Sequence, residues 1–130
     1  YTMINPKELR IGSVVYESYS FIDIDLTPMV VAEINANHSL VRDTDGNAYS
    51  YDMIYPIPLS PEILEKCGFE KSPTRIKDTY VSGSVFFSLD GYVIVHSENG
   101  SVVEVGNAKE VHTLQNLIFA ITGEELEIIL

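Results

Sequence analysis

The side chains best suited to covalent chemistry in this sequence are one thiol and three imidazoles. The chain of 130 residues has one cysteine, Cys67, and three histidines, His38, His96 and His112. A nucleophilic cysteine needs a base that lowers its pKa, and no histidine has a spacing from Cys67 typical of a cysteine hydrolase. Cys67 also ends a predicted helix, where the dipole disfavours a thiolate. We predict a buried structural cysteine, and a small hydrolase that uses Cys67 stays open as an alternative.

The histidines and acidic residues show no metal-binding signature. No histidine has a second one three or four residues away, which argues against zinc. The run Asp43-Thr44-Asp45-Gly46-Asn47 resembles the start of a calcium loop, but Ala48 and Ile54 stand where an EF-hand needs glycine and glutamate. Asp23 and Asp25 alternate with apolar residues, which is typical of the solvated side of a strand. We therefore predict no metal, no cofactor and no catalytic residue.

Tyrosines are the most suggestive surface feature, because aromatic side chains are enriched at binding interfaces. The chain has 8 of them. Five lie near the predicted hairpin and the first loop of the N-terminal half: Tyr16, Tyr19, Tyr49, Tyr51 and Tyr55. We predict that these five line an interaction surface for a protein partner.

The acidic composition bears on the kind of partner. With 19 acidic and 8 basic side chains the formal net charge is -11, and such a surface repels phosphate backbones, so direct nucleic-acid binding is disfavoured. The same charge suggests an alternative, an acidic DNA mimic that inhibits a nuclease or repressor. The single cysteine fits a reducing compartment. Since no apolar run of about 18 residues and no signal-peptide pattern is present, we expect a cytoplasmic protein that does not bind a membrane.

Short strands dominate the N-terminal half. Strands are predicted before and after the turn-prone residues 35–37, and Phe21–Leu26 alternates apolar and acidic side chains. Asp45-Gly46 predicts a two-residue type I′ hairpin turn, which needs a positive φ at both positions. Several short strands with tight turns predict a small SH3-like barrel over residues 8–59.

A short helix is predicted between the halves. Ser60 can cap its start, Pro61 suits its first position, and Gly68 ends it in a Schellman motif that folds Phe69 back onto the helix.

The C-terminal half combines strands with one helix. Residues 80–105 predict a three-stranded meander with turns at Asp90-Gly91 and Asn99-Gly100. Residues 111–122 have apolar side chains at helical spacing and end at Gly123. Residues 124–130 alternate acidic and apolar side chains and predict a terminal strand. The fold class is therefore α+β, mostly β, in one domain, with lobes over residues 8–59 and 60–130 as the alternative.

Three blocks of the sequence resemble a family of short uncharacterised proteins of phages, prophages and mobile elements of gut Bacteroidetes. The blocks are residues 8–12, residues 56–71 without 60–61, and residues 111–126 without 118. Thr113 and Ile118 depart from that family, which has glutamine and an aromatic residue there. The resemblance implies a genetic setting and transfers no catalytic residue.

These observations give one leading hypothesis. We expect a non-enzymatic accessory protein of a phage or mobile element that acts as a protein–protein interaction module. Its partner is unknown, and formation of a homo-oligomer stays open.

Overall fold

The computed structural model describes residues 4–18, 26–71, 79–83, 85–88, 90–96 and 102–129. A 3-10 turn (Pro6–Glu8) precedes the first strand. The strands are β1 (Val14–Glu17), β2 (Thr27–Val30), β3 (Glu33–Asn35), β4 (Leu40–Arg42), β5 (Ala48–Ser50), β6 (Ile54–Tyr55), β7 (Glu70–Lys71), β8 (Thr79–Ser82), β9 (Val85–Ser88), β10 (Tyr92–His96) and β11 (Val102–Asn107). A second 3-10 turn (Tyr51–Met53) precedes β6, and the helices are α1 (Pro61–Lys66) and α2 (Val111–Thr122).

The predicted fold class, α+β and mostly β, is confirmed. The chain divides into two compact units. Unit 1 contains Tyr1–Pro58 and Glu110–Thr113, and unit 2 contains Leu59–Lys109 and Leu114–Leu130. The start of α2 therefore belongs to the first unit, although it lies in the second half of the sequence. Within the described residues, no helix is long and apolar enough to cross a membrane.

Unit 1 is built from two three-stranded antiparallel sheets, β2-β1-β6 and β3-β4-β5. Residues 27–35 run through both: the Val31 N–H donates to the Ser13 carbonyl at 2.9 Å, and the Ala32 N–H donates to the Arg42 carbonyl at 2.8 Å. This shared segment joins the sheets in sequence, and the SH3-like barrel stays a prediction. The predicted strand Phe21–Leu26 lies outside the described residues except for Leu26. The core of this unit consists of Ile4, Leu9, Val15, Met29, Val31, Val41, Tyr49 and Ile54.

The predicted hairpin between β4 and β5 forms, but with a different turn. The Gly46 N–H donates to the Asp43 carbonyl at 3.1 Å, and Gly46 has a φ of 85°. Asp45 has no positive φ, so the type I′ prediction for Asp45-Gly46 is wrong. The central residues are Thr44 and Asp45, and the glycine follows them in the left-handed region, as in a type I turn with a glycine bulge.

The predicted linking helix is confirmed in its details. The Ile63 N–H donates to the Ser60 hydroxyl at 3.2 Å, which caps the start of α1. At the other end Gly68 has a φ of 87°, and the Phe69 N–H donates to the Leu64 carbonyl at 3.0 Å. This is the Schellman bond that was expected to bring Phe69 back onto the helix. Phe69 and Leu64 are both buried in the core of unit 2.

Unit 2 contains a five-stranded antiparallel sheet in the order β11-β10-β9-β8-β7. The three-stranded meander predicted over residues 80–105 is wrong in its first strand, because the chain turns at Gly83 and separates β8 from β9. The Asp90-Gly91 turn forms, with the Gly91 N–H donating to the Ser88 carbonyl at 2.8 Å. The Asn99-Gly100 turn lies outside the described residues.

Two segments cover one face of this sheet. Leu114 and Ile118 of α2 are buried with Phe87 and Val93 of the sheet, and the helix ends as predicted at Gly123, whose φ is 73°. Residues 124–129 do not form the predicted terminal strand; their Ile129 N–H donates to the Lys66 carbonyl at 3.0 Å. Their alternation nevertheless matches burial, because the half-buried Leu126 and Ile128 pack against the core.

Candidate functional site

The predicted tyrosine surface is divided by the fold. Tyr49 pairs with Val41 across β4 and β5, and both side chains are buried in the core of unit 1. Tyr55 is also buried, next to Tyr16 in the pairing of β1 with β6. Tyr49 and Tyr55 therefore belong to the protein interior, Tyr49 on the buried side of the β4–β5 hairpin and Tyr55 in β6 of the other sheet.

The other three tyrosines have different positions. Tyr16 and Tyr51 are half-buried, and Tyr19 lies outside the described residues. Tyr51 borders a hollow of about 360 Å³ together with Ile4, Pro6, Ser39, Ser50 and Asp52. The Ser50 hydroxyl donates to the Asp52 carboxylate there. The hollow contains a single charged group and one aromatic ring, so it offers little to fix a ligand in one orientation.

Cys67 is a core residue in this structure. Its side chain is 2% exposed and packs in the apolar core of unit 2 with Leu64 and Phe69. Burial raises the pKa of the Cys67 thiol to about 11, so the group is protonated at neutral pH. A thiol is a poor nucleophile compared with a thiolate. This environment supports the structural interpretation of Cys67 over the hydrolase alternative.

A groove of about 680 Å³ opens on unit 2, beside the end of α1 and the β8–β9 turn. Its interior surface is apolar and comes from buried side chains of the segment after α1, of β9 and of α2: Cys67, Phe69, Val85 and Ile118. Leu126 and Ile129 of the C-terminal segment add a further apolar wall. Ile129 is 79% exposed, so this wall continues the apolar surface out to solvent.

The edge of the groove is acidic. Four exposed glutamates line it against one exposed lysine: Glu65, Glu124, Glu125 and Glu127 against Lys66. Three of the glutamates belong to the C-terminal segment, which contains no basic residue. The groove therefore combines an apolar interior with an excess of negative charge at its mouth.

Local hydrogen bonds hold the C-terminal segment at the groove. The Thr122 hydroxyl donates to the Ile118 carbonyl at 2.8 Å and accepts from the Glu124 N–H at 3.1 Å. This cap, together with the left-handed Gly123, turns the chain back after α2. The bond from Ile129 to the Lys66 carbonyl then fixes the segment beside α1. The acidic edge is thus anchored at both ends, although it forms no strand.

Unit 1 contains a second group of functional side chains, Glu8, Glu110 and His112. One carboxylate oxygen from each glutamate and one ring nitrogen of His112 lie within 4.8 Å of one another. His112 Nε2 lies 3.2 Å from Glu8 Oε1. His112 is fully buried, whereas both glutamates are half-buried.

The second ring nitrogen of His112 is in an unusual position. Nδ1 is buried and has no hydrogen-bond partner among the described residues. A buried polar atom without a partner costs about 1–3 kcal/mol. The unpartnered Nδ1 of His112 therefore lowers the stability of the folded protein. A buried polar atom of this kind often marks a functional position.

Each of the two sites is assembled from chain segments that are distant from one another in the sequence. No family model, curated protein or solved structure matches this chain. The functional interpretation therefore rests on the geometry of the groove and of the Glu8–Glu110–His112 cluster.

One of the two sites had a partial signal in the sequence. The acidic and apolar residues of 124–130 supply part of the edge and wall of the groove, but the strand predicted from their alternation does not form. The cluster had no such signal, because its members are not at metal-ligand spacing. Of the other two histidines, His38 is exposed on a turn between β3 and β4, and the backbone of His96 ends β10.

Proposed function

We propose that this protein is a non-enzymatic interaction module whose groove in unit 2 binds a short basic and apolar segment of a partner protein. The observation that supports this proposal is the combination of an apolar interior with four glutamates and one lysine at the mouth. Lysine or arginine side chains of the partner contact the glutamates, and the apolar side chains between them enter the groove.

The two parts of the groove have different energetic roles. Burying apolar surface contributes about 25 cal/mol per Å², so the apolar part of the interior that is still accessible, the half-buried Leu126 and the exposed Ile129, supplies most of the affinity. Exposed charges contribute less to affinity but steer a basic partner and exclude an acidic one. An acidic edge therefore sets the partner's chemistry, and the interior sets the strength of binding.

The resemblance to proteins of phages and mobile elements suggests the setting of this activity. We propose that the chain is an accessory protein of such an element and that its partner is a host or phage protein. Its cytoplasmic location is part of the same proposal.

The two alternatives receive less support. The high pKa of the buried Cys67 thiol disfavours a hydrolase that uses it as a nucleophile. A DNA mimic needs acidic groups arrayed like phosphates, whereas here the acidic groups of the groove surround an apolar interior. An apolar interior of that kind fits a peptide with apolar side chains better than it fits the DNA-binding surface of a nuclease or repressor.

The proposal is tested with the full chain and a labelled peptide in which lysines alternate with leucines. Fluorescence anisotropy should give a micromolar Kd that weakens with added salt, since exposed charge pairs are screened. The double variant Glu124→Lys/Glu127→Lys should weaken binding about tenfold, equivalent to about 1.4 kcal/mol. The matched control Asp90→Lys/Glu104→Lys changes the net charge equally in unit 2 but lies outside the groove.

The apolar contribution is tested separately. Ile129→Ser removes an exposed apolar side chain from the groove, and Val103→Ser removes a comparable one, 54% exposed, from β11. We expect weaker binding only for Ile129→Ser, and weaker binding of a peptide in which serines replace the leucines. Equal losses in the two charge-reversal variants would show general charge attraction, and equal losses in Ile129→Ser and Val103→Ser would show non-specific apolar contact; either result would overturn the proposal.

A further inference from the structure

The cluster formed by Glu8, Glu110 and His112 contains the side-chain types that bind divalent metal ions. We propose that these three residues form a binding site for a divalent first-row transition ion of the zinc type. The site belongs to unit 1 and uses no residue of the groove. It is therefore independent of the proposed peptide binding.

The distances between the donor atoms suit a single ion. The donor atoms of the three residues all lie within 4.8 Å of one another. Zinc binds carboxylate oxygen and imidazole nitrogen at about 2.0–2.2 Å, so two ligands of one tetrahedral ion lie about 3.4 Å apart, close to the 3.2 Å between His112 Nε2 and Glu8 Oε1. A small movement of the two half-buried carboxylates is enough to bring all three donors to bonding distance.

Regular backbone structure holds each of the three residues. Glu8 ends a 3-10 turn in which its own N–H donates to the Asn5 carbonyl at 2.9 Å. Glu110 forms a β-bridge with Pro58, and its carbonyl accepts from the Thr113 hydroxyl at 2.8 Å. His112 lies in the first turn of α2 and is fully buried. Ligands on an ordered backbone lose little conformational freedom when an ion binds.

The ligand set indicates the class of ion. Imidazole suits zinc and neighbouring transition ions, whereas calcium and magnesium prefer sites made of oxygen alone. Two ionised carboxylates and a neutral imidazole also balance the charge of a divalent ion. Three protein ligands leave a coordination position for water, and the half-buried glutamates give the ion a route to the site.

The test is calorimetric titration of ZnCl₂ into the full chain after removal of metal with a chelator. We expect one Zn²⁺ per chain with a micromolar Kd, a higher melting temperature with Zn²⁺, and no comparable effect of MgCl₂ or CaCl₂. CoCl₂ should give a visible absorption band of a low-symmetry site. Glu110→Gln should weaken Zn²⁺ binding at least about tenfold, and it leaves the pair Glu8–His112 in place.

Two control variants separate this site from surface binding. His38→Gln removes an exposed histidine of unit 1, and Glu33→Gln removes an exposed carboxylate of the same unit. Neither should change the Kd for Zn²⁺. Binding that is lost in His38→Gln, or that is unchanged in Glu110→Gln and Glu8→Gln, would overturn the site. Because the groove is elsewhere in the chain, peptide binding should be equal in all four variants.

Discussion

His112 and Glu8 are separated by 104 positions in the sequence, yet His112 Nε2 lies 3.2 Å from Glu8 Oε1. This contact joins the first turn of α2 to the 3-10 turn before β1. The imidazole is 1% exposed and the carboxylate 40% exposed. A buried ring that reaches a half-buried acid ties the start of α2 to the N-terminal segment of unit 1.

The first prediction concerns the stability that this pair provides. In the presence of a chelator, His112→Ala should lower the free energy of unfolding by about 2 kcal/mol, because the cavity and the lost hydrogen bond to Glu8 outweigh the relief of the unpartnered Nδ1. Glu8→Gln keeps an oxygen that accepts from Nε2, so its effect should stay below about 1 kcal/mol. Urea unfolding followed by circular dichroism measures both values. Equal losses in the two variants would contradict the assigned geometry.

The second prediction concerns the pH dependence caused by Cys67. The pKa of its thiol is about 11 in the folded protein against 9.0 for an unperturbed thiol. Between pH 9 and pH 11 the Cys67 thiol is ionised in the unfolded chain but still protonated in the folded protein. The free energy of unfolding that depends on this difference is fully present below pH 9 and is lost as the pH rises to 11. Between these values wild type should lose about 3 kcal/mol more than Cys67→Ala does.

Thiol reactivity gives a direct check on the same residue. Since Cys67 is the chain's one cysteine, a chromogenic disulfide reagent reports on it alone. We expect slow modification of the folded protein and fast modification in denaturant. Fast labelling of the folded protein at neutral pH would show an accessible thiolate and would revive the hydrolase alternative.

The third prediction concerns Asp43 in the β4–β5 turn. Burial acts to raise the pKa of its carboxyl group, but hydrogen bonds from the Asn47 backbone and side chain, the Asp45 N–H and Tyr49 outweigh it, so the pKa is lowered. The Asn47 N–H donates to it at 2.9 Å and the Asp45 N–H at 3.0 Å. The stability from these bonds is present above pH 3.8 and is lost as the pH falls through the lower folded pKa.

The substitution Asp43→Ala should therefore destabilise the protein by about 1 kcal/mol at neutral pH and remove part of its sensitivity to acid. Asp45→Ala is the matched control, because the exposed Asp45 contributes its backbone N–H to the turn and keeps it in the variant. Acid titration of unfolding by circular dichroism measures the difference. The same acid midpoint in wild type and Asp43→Ala would contradict the role assigned to this carboxylate.

The elements that could be predicted from the sequence are those with a complete local signal. Ser60 and Gly68 define α1 because a cap and a left-handed glycine act within one turn of the helix. The glycine after Asp45 marked a turn but not its type, since a left-handed glycine also follows a type I turn. At Gly83 the flanking serines are a turn signal, but the apolar residues on both sides of this short turn were interpreted as one strand, which missed the break between β8 and β9. Local patterns thus located the elements better than their boundaries.

The candidate sites were harder to predict, for a physical reason. Three of the four glutamates at the acidic edge of the groove lie in residues 124–130, whose composition is visible in the sequence but whose predicted strand does not form. The apolar interior comes from three separate parts of the chain, the segment after α1, β9 and α2, that only the fold brings together. Glu8 and His112 meet through tertiary contacts across most of the chain, and no periodicity reports a contact of that kind.

The fourth prediction compares two glycines of unit 2 that both have a positive φ. At Gly91, whose φ is 102°, a Cβ would lie 3.0 Å from the Asn107 side chain and 3.4 Å from the Ala108 carbonyl oxygen. At Gly83, whose φ is 59°, no atom lies within 4 Å of a Cβ. Gly83→Ala should therefore cost about 1 kcal/mol from backbone strain alone.

Gly91→Ala adds a steric cost to a larger backbone strain, because its φ of 102° lies outside the left-handed well at about 60° that Gly83 occupies. The Gly91 carbonyl accepts from the Ala108 N–H at 2.8 Å, so a shift of the backbone away from Asn107 would weaken this bond. We expect a loss of about 3 kcal/mol in urea unfolding. Equal losses for Gly91→Ala and Gly83→Ala would show that Asn107 moves aside freely. A larger loss at Gly91 would show that the turn before β10 is fixed by the close approach of residues 107 and 108.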